Sequence, residues 1–418
     1  MTSRWFWQLR RLSRRIWVRA TLFSLGGVLT ALAATVLSPY IPSDLPTKIG
    51  SDAVDNILGI IASSMLTVTT FSLSTMVSAY SAATSNVTPR ATRLVIEDKT
   101  THNVLSTFIG SFLFSLVGII ALSTGLYGDR GRVVLFAVTI LVIAAIVVTL
   151  LRWIDHLSSL GRVTQTTERV EAVALEAMRE RAREPYLGGS PLRDGSQIPR
   201  SARPVFAGEV GYVQHVDVGA LSALAEQGSG RIFLRAIPGD LVDPTAPIAL
   251  IDGMQPKDSP AHVRGCFTIG DIRSYDQDPR FGASVLTEIA SRALSPGIND
   301  PGTAIDVVGR AVRLLTVWGE PPESEGEVAH PRVFVPPILI GDLFDDLFTP
   351  IARDGASTVE IGVRLQKAFR TLARYKREGF AENARRHSRE ALERAEAGLA
   401  IDADKRRLRA LADEVGVA

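Results

Sequence analysis

One stretch decides the fold class of this chain, and it reads ILGIIASSMLTVTTFSLSTMVSAY from Ile57 to Tyr80. It contains no Lys, Arg, Asp or Glu, and a helix of this length crosses the roughly 30 Å hydrocarbon core of a bilayer. Residues 20–37, 103–127 and 133–151 form three further uncharged apolar stretches. A helix in a soluble protein would show a polar face every 3.6 residues, which most of these stretches lack. The sequence therefore predicts four transmembrane helices.

Basic residues are distributed unevenly around these four spans. The segment before the first span contains Arg4, Arg10, Arg11, Arg14, Arg15 and Arg19, and the loop between spans two and three contains Arg90, Arg93 and Lys99. The positive-inside rule then predicts a cytoplasmic N-terminus and a cytoplasmic location for everything after Arg152. A cleaved signal peptide is the alternative interpretation of the first span, and it leaves the topology of the other three unchanged.

The remaining sequence divides into three parts. The transmembrane domain covers residues 1–152. Residues 153–203 follow as a charged stalk helix, which continues the fourth span over 153–183, and a linker rich in Pro, Gly and Ser. Alternating apolar and polar residues predict a small β-rich module at 204–270, with a turn at Pro238–Asp240. Residues 271–418 read as a helical cytosolic region that ends in two charged helices, at about 358–377 and 381–414. The predicted fold class is a membrane α-helical domain of four spans plus a cytosolic α+β domain, which contains a small β-barrel-like module and C-terminal helices.

The β-rich module resembles half of a biotinyl or lipoyl domain over about 40 residues. The similar segments are Gly239-Asp-Leu-Val242 and Ala246-Pro-Ile-Ala-Leu-Ile251. In that family the carrier lysine lies in a Glu-X-Met-Lys hairpin, whereas this chain has Asp252-Gly-Met-Gln-Pro-Lys257. We therefore expect a structural or ligand-sensing barrel and no prosthetic group.

Hydroxyl side chains form a stripe along the second span. At about 100° per residue they fall on one side of a helix, and the pore-lining candidates are Ser63, Thr67, Thr70, Ser74, Ser78 and Ser81. Hydroxyls that line an aqueous path replace part of the hydration shell of an ion. The alternative is helix packing, because small hydroxyl residues allow close approach and bond to the preceding turn.

The third span has a second small-residue face, formed by Thr107, Ser111, Ser115 and Gly118. Such a face lets two helices touch. Another span of the same chain is the first choice of partner, and a second subunit is the alternative. None of the spans has an ionisable residue in its middle third, which argues against ion-coupled active transport.

The densest polar feature outside the spans is the turn Ser295-Pro-Gly-Ile-Asn-Asp-Pro301. It has a structural interpretation, in which Asp300 is a helix N-cap and Pro301 the first helical residue. It also has a functional one, in which the turn converges with the segment before Phe281 to bind a ligand. The ligand-binding candidates are Asp276, Asp278, Ser295, Asn299, Asp300 and Thr303.

Several function classes have no support in the sequence. There is no HExxH, GxSxG, Walker A or GxGxxG motif, and the six histidines form no i,i+4 pair. A net charge of +2 gives no argument for nucleic acid, and the single cysteine, Cys266, excludes a multi-cysteine metal site. We expect no enzymatic activity, no cofactor, no metal site and no nucleic-acid partner.

Three segments resemble one family. They are Trp153-Ile-Asp-His156, Gly211-Tyr-Val-Gln-His-Val-Asp217 and the region from Asp276 to Ala304, which includes Ala-Leu-Ser-Pro-Gly-Ile-Asn-Asp-Pro. They are similar to bacterial predicted membrane proteins grouped as a domain of unknown function. This resemblance implies a four-span inner-membrane protein with a cytosolic domain, and it implies no activity. Ser274 stands where the family pattern leads us to expect a Thr.

These features lead to one functional hypothesis and one alternative. We expect a homo-oligomeric inner-membrane channel or pore in the lipid bilayer, regulated by the cytosolic domain. The alternative is a membrane-anchored sensor or scaffold that binds a cytosolic partner or ligand and conducts nothing.

Overall fold

The computed structural model describes residues 51–96, 98–124, 129–159, 162–254, 259–320 and 328–417, together with seven residues between 21 and 29. The chain divides into two compact units. The membrane unit extends to Thr166, and the C-terminal unit begins at Thr167.

Long apolar helices make up the membrane unit. Its labelled helices are α1 (Ser51–Asn86), α2 (Pro89–Ile96), α3 (Lys99–Ser123) and α4 (Asp129–Ser159). Three of them contain segments long and apolar enough to cross a membrane, namely Ala53–Ser81, Thr100–Ser123 and Arg132–Leu157. These segments overlap the predicted spans at 57–80, 103–127 and 133–151. The predicted first span at 20–37 lies mostly outside the described residues.

Helix α3 is central among the three long helices, since it packs against both α1 and α4. One contact cluster centres on Leu58, Phe114 and Leu135, and a second on Phe108 and Trp153. In lipid the hydrophobic effect does not drive helix association, so close packing must do so. The small face of α3 serves this role, because a Cβ added to Gly118 would lie 3.0 Å from Cδ1 of Leu58. An intrachain partner for this face was the first of the two sequence interpretations.

Polar contacts join one end of α3 to the end of α4. Asp98 caps α3 by accepting a hydrogen bond from the Thr101 backbone N–H at 3.0 Å. The same carboxylate lies 2.7 Å from Nε2 of His156, and both side chains are about nine-tenths buried. The ring of His156 in turn stacks on Trp153 at a centroid distance of 5.7 Å.

The sequence predicted that the stalk helix continues directly from the last span. The structure instead has two separate helices. Helix α4 ends at Ser159 and α5 runs from Val163 to Arg183, with Arg162 outside both helices. One face of α5 is buried, and it includes Val170, Ala174 and Met178 at spacings of four. The predicted single helix over 153–183 is therefore interrupted before α5.

The described residues of the C-terminal unit form two sheets. Their strands are β1 (Gly189–Pro191), β2 (Arg203–Phe206), β3 (Gly211–Val216), β4 (Arg231–Leu234), β5 (Leu241–Val242), β6 (Pro247–Asp252), β7 (Phe267–Gly270) and β8 (His330–Val335). The five-stranded sheet has the order β1-β8-β4-β6-β2, with β8 parallel to both of its neighbours. The three-stranded sheet β5-β3-β7 is antiparallel.

This topology corrects the predicted module at 204–270. Strands β1 and β8 lie outside those limits, yet β8 pairs with β4 and belongs to the same sheet. The described strands form two sheets, and no closed barrel is found among them. A local alternation of apolar residues predicts strands but carries no information on which strands pair. The module therefore folds as part of a larger α+β unit.

Helices complete the C-terminal unit. They are α6 (Val218–Gln227), α7 (Ser259–Gly265), α8 (Pro279–Ala293), α9 (Pro301–Gly319), α10 (Ile340–Asp354), α11 (Val359–Ala373), α12 (Phe380–Gly398) and α13 (Asp402–Val417). The sequence predicted the last two as one helix from 381 to 414. The structure breaks that helix after Gly398, where Leu399 takes an extended conformation.

The apolar groups that stabilise this unit include a sheet core and an aromatic group. The sheets and α6 share a core that includes Leu221, Ile232 and Ile248, each fully buried. Helices α10, α11 and α12 enclose an aromatic group in which Phe348 meets Phe369 edge-on at 5.0 Å. Burial of each such side chain contributes about 1.5–3 kcal/mol.

Candidate functional site

The hydroxyl stripe lies on the exposed side of α1. Each of its six members is exposed on the surface of the chain, and they are Ser63, Thr67, Thr70, Ser74, Ser78 and Ser81. The residues that α1 packs against the rest of the unit include Leu58, Met65 and Met76. At about 100° per residue the stripe lies about 180° from this packed face. The stripe is therefore not used to pack α1 within the described membrane unit.

Large apolar side chains flank the stripe on both sides. Leu66, Leu73 and Val77 are roughly half exposed on one flank, and Ile60 and Phe71 are 67% exposed on the other. The outer surface of α1 thus has a polar centre between two apolar edges. From Ser63 to Ser81 the stripe extends about 27 Å along the helix axis, close to the thickness of the hydrocarbon core.

Part of the hydrogen-bonding capacity of the stripe is used within α1. Ser63 donates to the Gly59 carbonyl, Thr67 to the Ser63 carbonyl and Thr70 to the Leu66 carbonyl, each at 3.0 Å. Donation to the preceding turn satisfies the hydroxyl hydrogen and leaves the lone pairs of the oxygen available as acceptors. The stripe can therefore accept hydrogen bonds from water, and its donors are also satisfied without water.

The predicted turn at Ser295–Thr303 joins α8 to α9 and is exposed. Asp300 caps α9 by accepting from the Thr303 backbone N–H at 3.1 Å, and the Thr303 hydroxyl donates to it at 2.6 Å. Both bonds lower the pKa of Asp300, and the bond from the Thr303 side chain has the larger effect. Asn299 adopts a left-handed conformation with φ of 52°. The arrangement has the geometry expected of a helix N-cap.

The predicted convergence of two polar segments is wrong. Asp276 and Asp278 precede the first residue of α8, whereas Ser295, Asn299, Asp300 and Thr303 follow its last residue. The 15 residues of α8 separate the two groups by about 22 Å at 1.5 Å per residue. The sequence predicted that both groups lie at helix starts, but the length of the helix between them keeps the two groups apart.

The group at the start of α8 forms a buried charged cluster. Asp278 is 2% exposed, caps α8 through the Phe281 backbone N–H, and forms two hydrogen bonds with Arg273 at 2.7 and 2.9 Å. Burial raises the pKa of Asp278, and the hydrogen bonds from Arg273 oppose that rise. Asp276 accepts a hydrogen bond from the Ser274 hydroxyl at 3.0 Å.

Two further charged groups belong to this cluster, and neither was predicted from the sequence. The guanidinium of Arg181, on α5, is buried, with 3% of the residue exposed, and is attracted to Asp278 and Asp240. Burial raises the pKa of Asp240 and lowers the pKa of Arg181 to about 10. A sequence signal for Arg181 did exist: it lies seven positions after Ala174 and three after Met178, on the apolar face of α5.

Comparison with known proteins identifies the family. The family model described as "Predicted membrane protein (DUF2254)" matches residues 13–371. The chain belongs to this family. The resemblance found in the sequence is thereby confirmed. The description of the family names a membrane protein and no activity.

Two curated relatives of this DUF2254 protein carry the description uncharacterized protein. It is 28% identical over 266 residues to the uncharacterized protein Rv1290c of Mycobacterium tuberculosis, and equally to the uncharacterized protein Mb1321c of Mycobacterium bovis. The alignment covers 60% of this chain and 50% of each relative. The chain thus spans about half the length of the curated relatives it matches. No solved structure matches the chain significantly.

Proposed function

We propose that this DUF2254 protein is a homo-oligomeric channel or pore in the bacterial inner membrane, with its C-terminal unit in the cytoplasm. The observation that carries the proposal is the exposed hydroxyl stripe of α1, on the face opposite its packed side. Several copies of α1 around an axis would present these hydroxyls to a common aqueous path. Oxygen acceptors on such a path replace part of the hydration shell of a cation.

The apolar flanks of the stripe support an oligomeric arrangement. In a ring of α1 helices, Leu66 and Leu73 of one copy would lie beside Ile60 and Phe71 of the next. These side chains are exposed in the single chain. A neighbouring helix would give them van der Waals contacts comparable to those made with lipid. Each subunit would thus contribute one pore-lining helix.

Regulation by the C-terminal unit follows from connectivity. Helix α5 joins the last apolar helix to the sheets and helices that follow. Movement of a rigid helix connected to a transmembrane helix is a common means of gating. We propose that the C-terminal unit has this regulatory role and no enzymatic one.

A non-conducting sensor or scaffold is the second candidate. It is favoured by the bonds from Ser63, Thr67 and Thr70 to the preceding turn. Because these donors are already satisfied, the stripe can face lipid or another helix at small cost. In that case the membrane unit is an anchor, and partner binding belongs to the C-terminal unit.

Cysteine accessibility distinguishes the two candidates. In a Cys266→Ala background, single cysteines at Thr67, Thr70, Ser74 and Ser78 are treated with a water-soluble thiol reagent in membranes. The pore predicts that they react and that Val68 and Met76 replaced by cysteine do not. Phe71→Cys and Leu73→Cys are the matched controls, because both sites are exposed in the single chain but flank the stripe. Equal protection of stripe and flank favours the scaffold, and so does a monomer in mild detergent.

A further inference from the structure

Arg181 is a buried cation without a hydrogen-bond partner among the residues that the structure describes. It is 3% exposed, and none of its three guanidinium nitrogens makes a hydrogen bond within the described part of the chain. Burial of an unpaired charge is costly, since the group loses hydration without compensation. Such groups are rare in folded proteins and require a physical explanation.

The packing of α5 on α8 fixes where this charge lies. The two helices touch where a Cβ on Gly282 would lie 2.5 Å from Cβ of Ala174. Arg181 lies seven positions after Ala174, on the same face of α5. Asp278 lies one turn before Gly282, at the start of α8. The guanidinium is accordingly attracted first to Asp278 and then to Asp240.

Asp278 already accepts hydrogen bonds at both of its carboxylate oxygens. Arg273 donates to both of its carboxylate oxygens, and the Phe281 backbone N–H donates to Oδ1. Arg280 is directed elsewhere, because it pairs with Asp342 and Asp346 at 2.7 Å. A hydrogen bond from Arg181 would therefore stabilise Asp278 less than it would stabilise a carboxylate with fewer hydrogen-bond partners.

Asp240 is the carboxylate with fewer partners. Within the described residues it accepts one hydrogen bond, from the Ile237 backbone N–H at 2.9 Å. It lies in the turn Pro238–Asp240, which is tied to β3 by bonds from Gly239 N to the Val213 carbonyl and from Val213 N to the Asp240 carbonyl. Arg181 and Asp240 are thus two neighbouring opposite charges, each short of partners and not bonded to each other.

We propose that Arg181 is a two-position switch between the stalk helix α5 and the turn Pro238–Asp240. In the position seen here the guanidinium is bonded to neither carboxylate. In the second position the end of α5 and the turn approach each other, and Arg181 forms a charge-assisted hydrogen bond with Asp240. The switch belongs to the C-terminal unit alone, so it stands whether or not the membrane unit conducts.

The first test measures the thermal unfolding of the full-length protein in detergent, through the β-sheet band of its infrared spectrum. Arg181→Met removes the unpaired charge and should raise the unfolding midpoint by about 2 °C or more. Arg310→Met is the matched control, because Arg310 is equally buried but donates to Glu171 and Asp306. It should lower the midpoint by about 5 °C or more. A comparable fall for Arg181→Met would show that Arg181 has partners and would overturn the proposal.

The second test asks whether a second position exists. Amide hydrogen exchange is measured over the turn in the wild type, Arg181→Met, Asp240→Asn and the double variant. Each single variant removes the charge-assisted bond that stabilises the second position, so exchange at Gly239 should slow about threefold or more. The double variant should show no further change, because both residues act as one pair. Unchanged exchange in both single variants would overturn the two-position switch, even if Arg181→Met is stabilised.

Discussion

The Cα of Gly239 faces the Asp278 carboxylate so closely that a Cβ at this position would lie 2.6 Å from Oδ2. Gly239 also has φ of +103°, a conformation that residues with a side chain rarely adopt. The turn before β5 and the start of α8 thus meet at a point where only glycine fits.

Replacement of Gly239 by alanine should therefore destabilise the C-terminal unit. We expect a loss of about 1–3 kcal/mol from backbone strain alone, with the clash against Asp278 adding to it. Chemical denaturation of the full-length protein measures the change. Gly297→Ala is the control, since no atom lies within 4 Å of the added Cβ. Equal stability of the two variants would contradict the close approach.

A second prediction concerns the exposed turn between α8 and α9. If Asp300 acts only as an N-cap, Asp300→Ser keeps the capping bond and costs little, whereas Asp300→Ala costs about 0.5–2 kcal/mol. Denaturation with and without a divalent cation is the measurement. A cation-dependent stabilisation of the wild type, lost in both variants, would instead make Asp300 a ligand.

The ion pair between Glu171 and two arginines gives a third prediction. Glu171 accepts from Arg310 and Arg313, and Arg310 is 5% exposed. Glu171→Gln removes the negative charge that compensates the buried guanidinium of Arg310. We expect the free energy of unfolding to fall by about 3–5 kcal/mol. Glu176, an exposed residue of the same helix, is the control, and Glu176→Gln should change stability by less than about 0.5 kcal/mol. A loss below 1 kcal/mol for Glu171→Gln would refute this role of the pair.

The pH dependence of stability should report on His387. Burial among aromatic rings, with the nearby Arg386, lowers the pKa of His387 from 6.5 to about 4. Between these values the unfolded chain binds a proton that the folded chain does not, so stability falls as the pH falls. The fall is at most about 1.4 kcal/mol per pH unit.

His387→Phe provides the comparison, because it removes the titrating group from the aromatic cluster. The free energy of unfolding of the wild type should decrease relative to this variant as the pH is lowered from 6.5 to 4. If the difference between the two proteins is independent of pH across that window, His387 is not held neutral by its surroundings.

Features with a local pattern could be predicted from the sequence. The apolar stretches predicted three of the membrane helices, because a helix that crosses lipid must be long and uncharged. The Asp300-Pro301 pair gave the start of α9, since an N-cap followed by proline acts within one turn. The predicted turn at Pro238–Asp240 likewise contains a glycine with positive φ.

Features that depend on distant contacts could not be predicted. The pairing of β8 with β4 joins segments 100 residues apart, and their sequences carry no sign of this partnership. The burial of Arg181 depends on how α5 packs on α8, although its place on an apolar face was a usable signal. The hydroxyl stripe was visible in the sequence, but its exposure on the outer face of α1 required the structure.

The central claim is that the stripe of α1 lines an aqueous path between subunits. Ion conductance of the purified full-length protein in planar bilayers tests it most directly, with Thr70→Cys and Phe71→Cys compared in a Cys266→Ala background. We expect conductance in both variants, with block by a charged thiol reagent in Thr70→Cys and no effect of the reagent in Phe71→Cys. Absence of conductance in the oligomeric wild-type protein, or equal block of both variants, would contradict it.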